Sequence, residues 1–164
     1  MEPATPLLTW PTVLWWLPPL HPLFVHFPAA FLFGAGGIAG WQLVRRSFAP
    51  SRTLTWLLDA GAVTALAAVG SGLYFESSIP HRHDGVIHTV MEWHETLGIV
   101  TAIVAVLLTI GRRCADRAAN TRWTRVLLWG TVALMLLVGI TGHFGALLVH
   151  RFSIAVPVPV HMHP

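Results

Sequence analysis

Apolar residues run along this chain in four blocks, each long enough to cross a bilayer, which takes about 20 helical residues at 1.5 Å each. The blocks predict helices over Pro22–Val44, Leu54–Phe75, Val90–Ile110 and Trp123–Val149. Charged residues collect in the gaps between them. The expected fold is all-α, an integral membrane four-helix bundle in one domain over residues 21–150. Residues 7–20 are also apolar, but Pro11, Pro18 and Pro19 break them, so they are too short and too kinked to cross. Trp10, Trp15 and Trp16 suit the headgroup layer, and residues 1–20 read as an interfacial segment. Residues 151–164 read as an extended tail whose alternating prolines favour polyproline geometry. The first residues lack the basic region of a secretory signal. No internal repeat stands out.

Composition supports lipid as the solvent. Hydrophobic residues make up 54% of the chain and charged residues 10%, against about 25% charged in soluble domains. All ten basic residues are arginine, and they do not form the basic face that nucleic acid would need. Arg45, Arg46, Arg52, Arg112, Arg113, Arg117, Arg122 and Arg125 flank two of the gaps, leaving only Arg82 and Arg151 for the opposite side. Eight against two is a positive-inside signature. It predicts both termini and the Glu76–Thr89 loop on the outer side. Trp41, Trp56, Trp123 and Trp129 fall at inner helix ends, and Trp93 and Tyr74 at outer ends, as interfacial aromatics do.

On that topology all ten histidines lie outside or in the outer parts of helices. His26, His94 and His143 fall at similar depth on three helices, with His150 two turns beyond His143 on the same face. His26 shares its face with Ala30 and Gly37, His94 with Gly98, and His143 with Gly139 and Ala146. Small residues let helix backbones approach closely, and they also leave room for a flat cofactor. Imidazole ligates haem iron, copper and zinc. Two facing histidines with small neighbours would suit a haem held at both axial positions. His81-Arg82-His83-Asp84 and His161-Met162-His163 are weaker candidates for copper or zinc, or simply solvated segments. Glu92 and Glu95 could orient the His94 ring through its second nitrogen. Asp59, costly within a membrane, is expected to face the bundle or a partner and to pair with an inner arginine. Cys114, the one cysteine, is expected in a loop. It leaves no disulfide, no C-x-x-C-H haem attachment and no thiolate zinc site. No nucleophile motif or phosphate loop supports a hydrolase.

His21-Pro22 followed by His26-Phe27-Pro28 resembles the HPxxVHFP signature of a bacterial family of four-helix membrane proteins of unknown function. His94-x-x-x-Gly98 and Gly142-His143-Phe144-Gly145 are similar to looser motifs later in that family, and the resemblance spans roughly residues 20–150. Members often stand beside c-type cytochromes. The resemblance therefore implies electron transfer in a bacterial inner membrane and carries His21, His26 and His94 over as site positions. This chain lacks a cytochrome domain and has extra histidines in its outer loop and tail.

Three functions follow as expectations. One is a b-type cytochrome-like subunit of a respiratory or photosynthetic complex. It would hold haem b near the outer face through His26, His94, His143 or His150, with quinone or a c-type cytochrome as redox partner. The second is a copper- or zinc-binding membrane protein for delivery or assembly, using His21, His26, His94 or His143. The third is a cofactor-free scaffold subunit beside other membrane-complex subunits.

Overall fold

The computed structural model describes residues 20–77 and 85–152. The expected interfacial segment and tail, and His81, His83, His161 and His163, lie outside the described residues. Four helices account for nearly everything else: α1 (Leu20–Val44), α2 (Arg52–Ser77), α3 (Val86–Ala118) and α4 (Thr121–His150). All four are long and apolar enough to span a membrane. The architecture is the all-α four-helix bundle that the apolar blocks predict.

The helices run further than those blocks. The largest extension is in α3, which at 33 residues and 1.5 Å per residue is about 50 Å long, well beyond a hydrocarbon core of about 30 Å. Its added turns are polar and carry ion pairs at i,i+4 spacing, His88 with Glu92 at 3.5 Å and Arg112 with Asp116 at 3.2 Å, of the kind that supports helix without apolar burial. Cys114 is therefore an exposed helical residue of α3, not a loop thiol. The α3–α4 link shrinks to Ala119 and Asn120. Ala119 takes a left-handed φ of 48°, and Asn120 caps α4 by accepting the Trp123 N–H at 3.1 Å.

Each helix packs against its two chain neighbours around a ring, α4 closing onto α1, while α1 and α3 stand diagonally opposite, as do α2 and α4. The centre is filled by Leu32, Ala35, Ala39, Leu58, Ala105, Leu128 and Leu134. Close approach depends on missing Cβ atoms. A Cβ at Gly36 would lie 2.5 Å from the Met135 Cβ, and one at Gly61 would overlap Leu32. Outward-facing Leu66, Ile103, Leu107 and Leu136 are more than half exposed, a surface suited to lipid. Asp59 makes the arginine pair expected of it, accepting from Arg113 Nη2 at 2.6 Å and Nε at 3.3 Å.

The two hairpins, α1–α2 and α3–α4, share several features at a fixed shift along the chain, a correspondence that the apolar pattern alone does not reveal. Adding 73 to a number in the first hairpin gives its counterpart in the second. His21 becomes His94, Gly72 becomes Gly145, and Arg52-x-Leu54-x-Trp56 becomes Arg125-x-Leu127-x-Trp129. Buried positions follow the same shift, with Leu32 and Ala105, Ala39 and Arg112, Leu58 and Thr131, and Ala65 and Val138 each buried at both places. The left-handed residue after the first helix recurs too, Arg46 at φ 51° and Ala119 at φ 48°. The correspondence is hard to read in the chain because few of its paired positions hold the same residue. Burial asks only for an apolar side chain of suitable size.

Candidate functional site

One end of the bundle carries the described histidines and the other all the described arginines but Arg151. At the histidine end the repeat places His21 on α1 and His94 on α3, the two diagonal helices. Their ring centres are 6.4 Å apart and their planes cross at 81°. The other two helices close around them.

Each ring is held the same way by the second helix of its own hairpin. His21 Nδ1 lies 3.1 Å from the Ala68 carbonyl oxygen on α2, and His94 Nδ1 lies 3.1 Å from the Thr141 carbonyl oxygen on α4. A carbonyl only accepts hydrogen bonds, so Nδ1 carries the hydrogen in both rings. In a neutral imidazole this leaves the Nε2 lone pair uncommitted, the arrangement that metal-ligating histidines use. Four residues after each carbonyl comes a glycine, one helical turn on. A Cβ there would meet the ring, at 3.0 Å from His21 Cε1 for Gly72 and 2.9 Å from His94 Cε1 for Gly145. Small residues do make room beside the histidines, but from the neighbouring helix. Gly37 and Gly98, on the histidines' own helices, have nothing within 4 Å of such a Cβ.

The two sides differ in their hydroxyl groups. His21 Nδ1 also lies 3.1 Å from Ser71 Oγ, whose hydroxyl donates to Ala68 O at 2.9 Å. The counterpart of Ser71 in the second hairpin is Phe144, packed on the edge of His143. Below His94, the hydroxyls of Thr101 and Thr141 meet at 3.2 Å.

The remaining histidines stand apart from this pair. His26 is exposed and its Nδ1 turns back to the Pro22 carbonyl on its own helix. His143 and His150 on α4 are exposed. His88 pairs with Glu92. The His94 ring is oriented by a backbone carbonyl and not by Glu92, which reaches toward His88 one turn away. Among the described residues no three His, Cys, Asp or Glu side chains converge. A cavity of about 230 Å³ lies at the arginine end, lined by Phe48, Pro50, Asp116, Thr121 and Thr124. Its carboxylate is already paired with Arg112.

Ser71, Thr141 and Gly72 do not stand out in the sequence as site residues, and Gly145 does so only within Gly142-His143-Phe144-Gly145. The available signal was the joint recurrence of histidine and glycine at a 73-residue shift (21 with 94, 72 with 145).

Residues 17–157 match the family described as predicted membrane protein DUF2231, and the chain belongs to that family. No curated protein and no solved structure matches it.

Proposed function

We propose that this protein is a membrane-embedded b-type cytochrome, an electron-transfer subunit with His21 and His94 as the axial ligands of one haem near the outer face. The observation that carries the reading is the pair itself: two imidazoles from diagonal helices, each tethered at Nδ1, with centres 6.4 Å apart. A metal about 2.1 Å from each ring nitrogen sits about 3.2 Å from each ring centre, so two imidazoles facing across one metal have centres roughly 6–6.5 Å apart. The ring separation is therefore that expected if both imidazoles bound one haem iron. Two protein donors suffice for it because the porphyrin supplies the other four. A zinc site built from protein side chains calls for three or four donors, more than this cluster supplies.

When bound, the haem would supply a one-electron couple at the iron. The chain's own part is to hold both rings in place before the cofactor arrives. The Ala68 and Thr141 carbonyls fix the tautomer and the ring rotation. Gly72 and Gly145 let the rings lie against α2 and α4. The surrounding helices exclude water on the lipid side. The sequence favoured His26 with His94. The geometry favours His21 in place of His26, because the His26 ring turns back onto its own helix.

The test is the absorption spectrum of protein purified from haem-replete cells. A Soret band is expected, lost or shifted in His21→Ala and in His94→Ala and retained in His26→Ala and His143→Ala. Added imidazole should restore the band in the first two variants, separating ligand loss from misfolding. Wild-type protein that lacks a Soret band but binds copper or zinc stoichiometrically would replace the haem with a metal-delivery reading.

A further inference from the structure

We propose that Ser71 is a positioning residue that makes the two ligands of this site unequal, turning His21 into the stronger electron donor of the pair. The inference rests on the reading of His21 and His94 as ligands. It comes from comparing the two halves at the position beside each ring's Nδ1, where the first hairpin has a hydroxyl and the second a phenyl ring.

The His94 Nδ1–H has one acceptor, the Thr141 carbonyl. The His21 Nδ1–H faces two, the Ala68 carbonyl and Ser71 Oγ, both at 3.1 Å. The direction of the second bond is fixed by the local helix. Ser71 Oγ–H donates to Ala68 O at 2.9 Å, so the oxygen turns a lone pair toward the ring and accepts from Nδ1–H. A hydroxyl that already donates is a better acceptor, since hydrogen bonds in a chain polarise one another. Two acceptors on Nδ1–H draw the proton away from the ring and push electron density to Nε2. That raises ligand basicity, the usual action of an outer partner on a metal-bound imidazole. The counterpart Phe144 can do none of this for His94.

A more basic axial donor stabilises the oxidised, more positive iron. Ser71→Ala should therefore favour the reduced form, with the equilibrium constant for reduction rising about tenfold, a midpoint shift of about +59 mV for a one-electron couple. Haem affinity should fall by about 10-fold, the lower end of what outer-partner losses cost at metal sites. Ser71→Thr keeps a hydroxyl that can bond the same i−3 carbonyl and should restore most of both.

A second readout does not need the cofactor. In protein labelled with 15N-histidine and held in detergent micelles without haem, the His21 Nδ1–H resonance should move upfield in Ser71→Ala. That of His94 should stay in place. Loss of packing alone would disturb both rings, and Thr would not rescue it. If Ser71→Ala leaves the His21 resonance unmoved, or if haem-loaded Ser71→Ala keeps the wild-type midpoint, the inference is overturned. If wild-type protein binds no haem, the cytochrome reading falls. The resonance shift alone then decides whether Ser71 polarises His21.

Discussion

A single methyl group at Gly145 tests whether the histidine pair is held as rigidly as its hydrogen bonds imply. In Gly145→Ala the new Cβ would lie 2.9 Å from His94 Cε1 and 3.4 Å from Nδ1, so the ring has to retreat by several tenths of an ångström. A free ring would do so at little cost. This one is bonded to the Thr141 carbonyl at 3.1 Å, and a shift of that size carries the bond past hydrogen-bonding range. The expected losses are about 0.5–1.5 kcal/mol for the bond and about 1–3 kcal/mol for overpacking. Set against these is a gain of up to about 1 kcal/mol from replacing a helical glycine. The net effect is destabilising by about 0.5–4.5 kcal/mol. Gly98→Ala supplies the control, because a Cβ there meets nothing within 4 Å and only the helical gain remains. Thermal unfolding in detergent should rank Gly98→Ala at or above wild type and Gly145→Ala below it. The His94 Nδ1–H resonance should be lost or shifted in the second variant alone. Equal melting temperatures for the two variants, with an unchanged resonance in both, would refute the claim that the ring is pinned.

Membrane orientation follows from the arginines: an impermeant thiol reagent should label Cys114 only after the cells are opened, and labelling of intact cells would reverse the topology. Asp59 and Arg113 form a two-point ion pair between α2 and α3, so Asp59→Ala and Arg113→Ala should each lower thermal stability while the double variant loses less than their sum; strict additivity would mean the pair is not coupled. Arg112 is 1% exposed and its Nε lies 3.2 Å from Asp116 Oδ1, so Arg112→Met, which strands the Asp116 carboxylate, should destabilise, whereas replacing both partners (Arg112→Met with Asp116→Leu) should recover wild-type stability or exceed it by up to about 1–4 kcal/mol; a double variant less stable than Arg112→Met would refute this.

The spans were legible in the sequence because lipid makes a blunt demand, some 20 consecutive residues without exposed polar groups. The partner of Asp59 was legible for a related reason, since an intramembrane carboxylate needs a cation and arginines gather at that end. The ends of α3 were not, because outside the hydrocarbon a helix is held by local pairs such as Arg112 with Asp116, which leave no apolar run. The choice between His21 and His26 was not legible either. The two are five residues apart, more than one turn, and point to different faces. Which face looks inward depends on which helices stand diagonally, a property of the assembled ring. The Gly72 and Gly145 contacts have the same origin: each is made across a helix boundary, where spacing within one helix carries no information.

The repeat adds an argument that no single contact supplies. Across the two hairpins the buried positions hold different residues, Leu32 against Ala105, Ala65 against Val138 or Leu58 against Thr131. Packing tolerates such exchanges when volume is recovered elsewhere. The arginine end has gone further, with Arg112 buried where the first hairpin has Ala39. Apart from two alanine pairs, the residues that are the same in both halves fall in two groups. Arg52-x-Leu54-x-Trp56 and Arg125-x-Leu127-x-Trp129 sit where α2 and α4 begin, with both tryptophans exposed. They suit the shared task of anchoring a helix at the interface. His21 with Gly72 and His94 with Gly145 have no such general task. A bundle needs an imidazole at neither place, and an apolar residue would avoid burying a polar ring beside a glycine gap. The two halves have the same ring, a backbone acceptor at the same position and the same missing side chain at one end of the bundle, and this is what the proposed site, which needs both imidazoles at once, would require.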